Sequence, residues 1–190
     1  MTDPADFRIV GSREVGRAGF LAITEETVEA PDATRVMRTV VRHPGAVVVV
    51  PVVDSTHAVL VRQYRAAVDG WLLEVPAGKR DVDGEPPEVT AARELLEETG
   101  HTAGRIVELA QFFNTPGFCD EYTHLYVALD LDAGGAREPV GLEEHAMVIE
   151  QVPLDEVDAR IANGEIRDAK TIIGLLLARA HVAGAAGGRA

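Results

Sequence analysis

The stretch GEPPEVTAARELLEETG, residues 84–100, reads as a helix with a signal at each end. Pro86 and Pro87 stand in the first turn, where a missing N–H breaks no hydrogen bond, and Gly100 stands where a left-handed C-cap belongs. The pattern predicts a helix from about Pro86 to Thr99. With an advance of about 100° per residue, Glu94, Glu97 and Glu98 share one arc, and Val89, Ala92, Leu95, Leu96 and Thr99 share the opposite one. One face is expected to be core and the other carboxylate. Three like charges spaced at i, i+3 and i+4 repel by a few tenths of a kcal/mol per exposed pair, and Arg93 is the one cation in RELLEE. A hard divalent ion, which prefers oxygen ligands, would relieve that repulsion; an ordinary solvated acidic face is the alternative.

Upstream of this helix, Phe20–Val28, Arg35–Arg42, Ala46–Val53, Ala58–Tyr64 and Trp71–Val75 read as strands between polar or Gly/Pro breaks. AVVVVPVV, residues 46–53, is continuously apolar, as a strand covered on both faces should be, and Pro51 marks its end or a bulge. Downstream, strands are expected at Arg105–Phe113, Tyr122–Leu129 and Ala146–Val152, with a polar loop at Asp132–Leu142. Helices are expected near Leu154–Asn163 and Asp168–His181, and VAGAAGGRA has the composition of a flexible tail. The fold class is α/β in the broad sense, a mixed β-sheet flanked by helices. Expected divisions are a β-rich N-terminal extension at 1–44, a main domain at 45–182 and a tail at 183–190.

With 190 residues and 46% hydrophobic content the chain is long enough for one substantial core. A net charge of −13 argues against nucleic acid or an anionic membrane as partner. No apolar run reaches membrane-spanning length and the first residues lack the features of a secretory signal, so the cytoplasm is the expected compartment. Cys119 is the only cysteine, which excludes an intrachain disulfide or thiolate cage; with no base beside it to activate it, it reads as a filler residue.

Residues 78–101 resemble the Nudix box, a glycine, a spacer, a glutamate and then Arg-Glu-apolar-any-Glu-Glu-any-Gly-apolar. Gly78, Glu85, Arg93, Glu94, Leu95, Glu97, Glu98 and Gly100 fill its defined positions. There are two departures: six residues rather than five separate Gly78 from Glu85, and His101 replaces the final apolar residue. The resemblance implies an α+β Nudix fold whose strand-loop-helix binds two or three Mg²⁺ ions, with Mn²⁺ the alternative. It casts Glu94 and Glu98 as principal metal ligands, Glu97 as a further ligand or neighbour, the Ala77 carbonyl as an additional oxygen, and Arg93 as an orienting residue paired with Glu85 or Glu97.

Outside the box, Pro116 falls sixteen residues beyond Gly100. With WLLEVPAG before the box and PGFCDEYTHLYVA after it, this spacing is similar to that of the ADP-ribose pyrophosphatase branch and related nucleotide-sugar pyrophosphatases. The resemblance implies Mg²⁺-dependent hydrolysis of ADP-ribose to AMP and ribose 5-phosphate. Arg65 in RQYR, Glu74, Thr115, Pro116, Gly117, Phe118 and Glu121 are then expected to border the substrate. Glu144 in GLEEHAM matches a metal-contacting or catalytic glutamate of the branch, with Glu143 the alternative and His145 beside them. The branch is commonly homodimeric through its N-terminal strands, which makes Arg35 and Arg38 candidate contacts to a partner subunit's substrate; a solvated strand face would serve equally for Arg35, Arg38 and Arg42. The rival readings are a UDP- or GDP-sugar pyrophosphatase and a non-catalytic nucleotide-sensing module. Every acidic box position is filled, and the short C-terminal helices carry no basic recognition surface.

Overall fold

The computed structural model describes residues 7–137 and 142–187, and its elements fall into two compact units, one made of residues 1–45 and 112–122 and the other of residues 46–111 and 123–190. The sequence places a division near residue 44; residues 112–122 cluster with the N-terminal strands as well.

In the first unit, β1 (Arg8–Ala18), β2 (Leu21–Glu29) and β3 (Arg35–Arg42) form an antiparallel meander. β1 was not among the expected strands. Its ladder with β2 shifts register between Ile9 and Gly11 and again between Glu14 and Gly16, and such bulges break the alternation by which a strand is recognised. Gly19, at a φ of 57°, makes the β1–β2 turn in the left-handed region that glycine enters at little cost.

In the second unit the sheet order is β10 (Val148–Pro153), β5 (His57–Arg65), β4 (Ala46–Val53), β9 (Tyr122–Asp132) and β8 (Thr102–Phe113). β6 (Gly70–Glu74) adds to β5, and β7 (Ala77–Lys79) adds to β4. β4 runs parallel to β9. Its other edge is shared, Ala46–Val48 pairing with β7 and Val52–Val53 with β5. Pro51 therefore neither ends the strand nor makes a bulge: it sits where that edge passes from one neighbour to the other, so its missing N–H interrupts little.

Burial of β4 is two-sided, as its unbroken apolar run requires. Val47 and Val49, with Tyr126 and Ala128 of β9, pack against Ala91 and Leu95 of α1 (Pro87–Thr99). On the opposite face lies α4 (Ala169–Gly187), where a Cβ on Gly174 would come within 2.9 Å of Val50 Cγ2 and 3.3 Å of Leu125 Cδ1. Glycine there lets the helix approach the sheet closely. α4 continues through Gly187, five residues into the stretch expected to be a tail. The other helices are short: α2 (Leu142–His145), which fills the gap between the expected loop and the expected strand at Ala146–Val152, and α3 (Val157–Ala162), shorter than expected. Among the described residues no helix is long and apolar enough to cross a membrane.

Candidate active site

α1 begins at Pro87 and ends on Gly100, whose φ of 72° and N–H bond of 2.8 Å to the Leu96 carbonyl complete the expected left-handed cap. The expected faces need correction. Thr90, Ala91, Leu95, Glu98 and Thr99 are buried, whereas Val89 is 48% exposed and Ala92 is also exposed. Glu98, at 3% exposure, belongs to the buried side, because that side of the helix lies on β7.

The contact with β7 explains two box positions. A Cβ on Gly78 would collide with the carboxyl group of Glu94, so glycine leaves the space into which that side chain extends. Burial, together with repulsion from Glu97 and Glu144 and against the pull of Arg93, raises the Glu94 carboxyl to a pKa of about 7. Burial also pushes Glu98 well above the usual carboxylate range, with Glu94 and Glu144 adding repulsion that the Ala77 N–H and Arg65 only partly offset. Glu98 Oε2 is buried with no hydrogen-bond partner. An orphaned carboxylate oxygen beside two further carboxylates is a poor arrangement for the protein alone and a good one for a cation.

Arg93 lies across the outer edge of the cluster. Its Nη1 is 2.9 Å from Glu94 Oε1 and 3.0 Å from Glu97 Oε2, and its Nη2 is 3.4 Å from Glu85 Oε2. Burial works against its charge, but these three carboxylates outweigh it and hold its pKa above the ordinary arginine value. Both expected counter-ions are therefore in place. Thr90 donates its hydroxyl to the same Glu85 oxygen at 2.7 Å, a contact the sequence reading missed. The extra spacer residue is taken up in a turn, where the Glu85 N–H bonds the Val82 carbonyl at 3.2 Å and Gly84 is left-handed. His101 turns back, its Nδ1 lying 3.1 Å from the Thr99 carbonyl oxygen.

Arg65 and Glu74 are partners of each other. Nε and Nη2 of Arg65 donate to the two Glu74 oxygens at 2.9 and 2.6 Å, and Glu74 is itself buried. This two-point clasp leaves Nη1 as the guanidinium nitrogen outside the pair. Glu144 lies on α2, and its charge is felt by both Glu94 and Glu98. The Glu143 side chain lies outside the described residues. His145 is exposed at the end of α2. Arg137, which no sequence signal singled out, donates from Nη2 to the Glu144 carbonyl at 3.1 Å and from Nη1 to the Met147 carbonyl at 3.5 Å. Among the described residues no three His, Cys, Asp or Glu side chains converge as a ready-made metal cage. Glu94, Glu98 and Glu144 are thus coupled by charge without closing on one point.

The remaining expected residues lie in the first unit. Thr115 accepts the N–H groups of Phe118 at 3.2 Å and Cys119 at 3.0 Å, making a turn that leaves Pro116, Gly117 and Phe118 exposed. The carbonyl of Glu121 accepts the Asn114 N–H at 3.2 Å. Cys119 is a buried free thiol. Arg35 pairs with Glu29 at 2.8 Å and Arg42 pairs with Glu26 and Asp120, while Arg38 is exposed and bonds the Met37 carbonyl at 2.9 Å.

A family model for the NUDIX domain matches residues 42–173. The chain belongs to the Nudix family. Nudix hydrolases generally require divalent metal ions, which agrees with the orphaned oxygen of Glu98. The chain is 38% identical over 164 residues to an ADP-ribose pyrophosphatase of Bacillus subtilis (strain 168), covering 86% of this chain and 88% of the relative. It is 40% identical over 167 residues to a methanol dehydrogenase activator of Bacillus methanolicus, covering 87% and 89%. A crystal structure of an ADP compounds hydrolase superposes with a TM-score of 0.83 over 97% of both chains at 24% identity, which establishes the Nudix fold for this chain.

Proposed function

We propose that this Nudix protein hydrolyses the pyrophosphate bond of ADP-ribose to AMP and ribose 5-phosphate, with Mg²⁺ as the working ion. The observation that carries the reading is the buried, partnerless Glu98 Oε2 beside Glu94 on the β7 side of α1, within a Nudix box whose acidic positions are all filled. The 38% identity to an ADP-ribose pyrophosphatase over most of both chains supports the substrate.

In this reading Glu94 and Glu98 hold the metal, with Glu97 and the Ala77 carbonyl as further oxygens. When bound, two or three such ions neutralise phosphate charge and lower the pKa of water. Arg93 keeps the carboxylates in register by bridging Glu85, Glu94 and Glu97. Glu74 holds the Arg65 guanidinium in one orientation, from which Nη1 can meet a phosphate oxygen. Glu144 accepts the proton of the attacking water. Matching by residue, rather than by geometry, assigns Thr115, Pro116, Gly117, Phe118, Glu121 and Arg38 to substrate recognition. The same matching proposes a homodimer through residues 1–44, with residues 45–182 as the catalytic part.

Purified protein assayed with Mg²⁺ against ADP-ribose, UDP-glucose and GDP-mannose tests this. The highest kcat/KM is expected for ADP-ribose, with AMP and ribose 5-phosphate as products. A preference for either of the other two overturns the substrate, and no turnover of any overturns the enzyme.

A further inference from the structure

Within the first unit a chain of charged groups runs from the middle of β2 to the segment that carries TPGFCDE. It starts at Glu26, a carboxylate only 2% exposed, whose Oε1 accepts the Ser12 hydroxyl at 2.9 Å and Arg42 Nη2 at 2.6 Å. Arg42 Nε donates to the Thr24 hydroxyl at 3.3 Å, and Nη1 reaches Asp120 Oδ2 at 3.0 Å. The other Asp120 oxygen, Oδ1, accepts the His43 N–H at 2.8 Å. Two backbone bonds complete the attachment, Val41 N–H to the Phe118 carbonyl at 2.7 Å and Asp120 N–H to the Val41 carbonyl at 3.2 Å.

Within the segment, the Thr115 carbonyl closes a turn onto the Phe118 and Cys119 N–H groups and Cys119 is buried, but the tip of the turn is open. Pro116, Gly117 and Phe118 are exposed, Phe118 by 57%, so apolar burial does not fix their positions. A buried carboxylate such as Glu26 is costly unless a cation compensates it, and here the compensating arginine spends a second donor on Asp120. A guanidinium suits this task because its fork presents donors in fixed directions to two acceptors at once. The same residues wall a cavity of 430 Å3, with Val28, Arg38 and Val40 from the strands and Pro116 and Phe118 from the segment. Displacing Asp120 would therefore change the shape of that cavity as well as the path of the segment.

We propose that Glu26, Arg42 and Asp120 are positioning residues that fix the 115–121 segment for substrate recognition. The proposal rests on the reading that this segment borders the substrate. None of the three needs to touch substrate itself.

The test combines kinetics with amide hydrogen exchange on the full chain for D120A, D120N, R42K and E26Q. In D120A the Val41 and Asp120 amides should exchange about tenfold faster or more, and KM for ADP-ribose should rise about tenfold while kcat stays within about twofold, the size expected for losing one charged hydrogen bond. D120N should fall between D120A and the parent, because Asn keeps an oxygen for the His43 N–H but loses the charge that faces Arg42. E26Q, outside the segment, should shift KM and exchange in the same direction through Arg42. Unchanged exchange overturns the clamp. Faster exchange with KM unchanged leaves the clamp but shows that the segment does not border substrate, and it overturns the positioning role with that reading. If D120A does not fold, D120N and R42K give the same discrimination.

Discussion

Glycine at position 78 and glutamate at position 94 depend on each other: the Glu94 carboxyl group lies where a side chain on Gly78 would begin. Gly78→Ala must push that carboxylate away from β7. The atoms displaced are the far end of a flexible side chain, so the fold gives way at little cost and the variant should remain folded. Turnover should fall at least tenfold, since misplacement of a reacting group by about 1 Å is enough for a large loss. Near-parental kcat/KM in a folded Gly78→Ala protein would show that the position of Glu94 is unimportant.

Glu98→Gln separates metal binding from folding. The amide has nearly the shape of the carboxyl group and is neutral, the state that burial and the neighbouring Glu94 and Glu144 favour at this position. Without metal the variant should melt no lower than the parent. Mg²⁺ alone should raise Tm in the parent, since a ligand that binds only the native state stabilises it, and should leave Glu98→Gln unmoved. Hydrolysis should be lost. Equal Mg²⁺-linked shifts in both proteins would remove Glu98 from the ligand set.

Glu144→Gln should behave differently, lowering kcat by about 10²–10⁴-fold with little change in KM, as expected for the loss of a general base. Arg137→Ala should move in the same direction by a smaller factor, about tenfold, because Arg137 holds the carbonyls of Glu144 and Met147 rather than any reacting atom. Arg137→Lys should recover only part, since a single ammonium does not reproduce the fork. A rise in KM with kcat intact for Glu144→Gln would assign that residue to ground-state binding.

α1 and the box that spans it, residues 78–101, were legible because their signals are local: two prolines, a capping glycine and the Arg93–Glu98 carboxylate pattern lie within residues 84–100. The continuous apolar run of β4 likewise announced a strand buried on both faces. The burial of Glu98 was not legible, because hydropathy assigns any glutamate to solvent and only the packing of α1 on β7 reverses that. β1 escaped because its bulges disturb the alternation. The links between Arg42 and Asp120, 78 positions apart, and between Arg137 and the Glu144 carbonyl are made by tertiary approach, and no spacing rule connects such residues.

Asp168 provides a pH-dependent test of how α4 is anchored. Its Oδ2 accepts both the N–H and the hydroxyl of Thr171 at 2.8 Å, and Oδ1 accepts Lys170 Nζ at 2.9 Å. Thr171 Oγ1 in turn accepts the Val75 N–H at 3.0 Å, which ties the start of the helix to the chain just after Glu74. Burial alone would raise the Asp168 pKa, but Lys170 and the Thr171 bonds together lower it below the ordinary value. A carboxyl group with a depressed folded pKa contributes stability that is fully present above its unfolded pKa of about 4 and is lost as pH falls through the folded value. Asp168→Ala should cost about 1–2 kcal/mol at neutral pH, as the loss of a helix N-cap does. Asp168→Asn should cost less there, and urea unfolding at a series of pH values should show the gap between Asp168→Asn and the parent closing on the acid side of about pH 4. A gap that stays constant, or widens, on that side would mean that the ionised form of Asp168 does not anchor the helix.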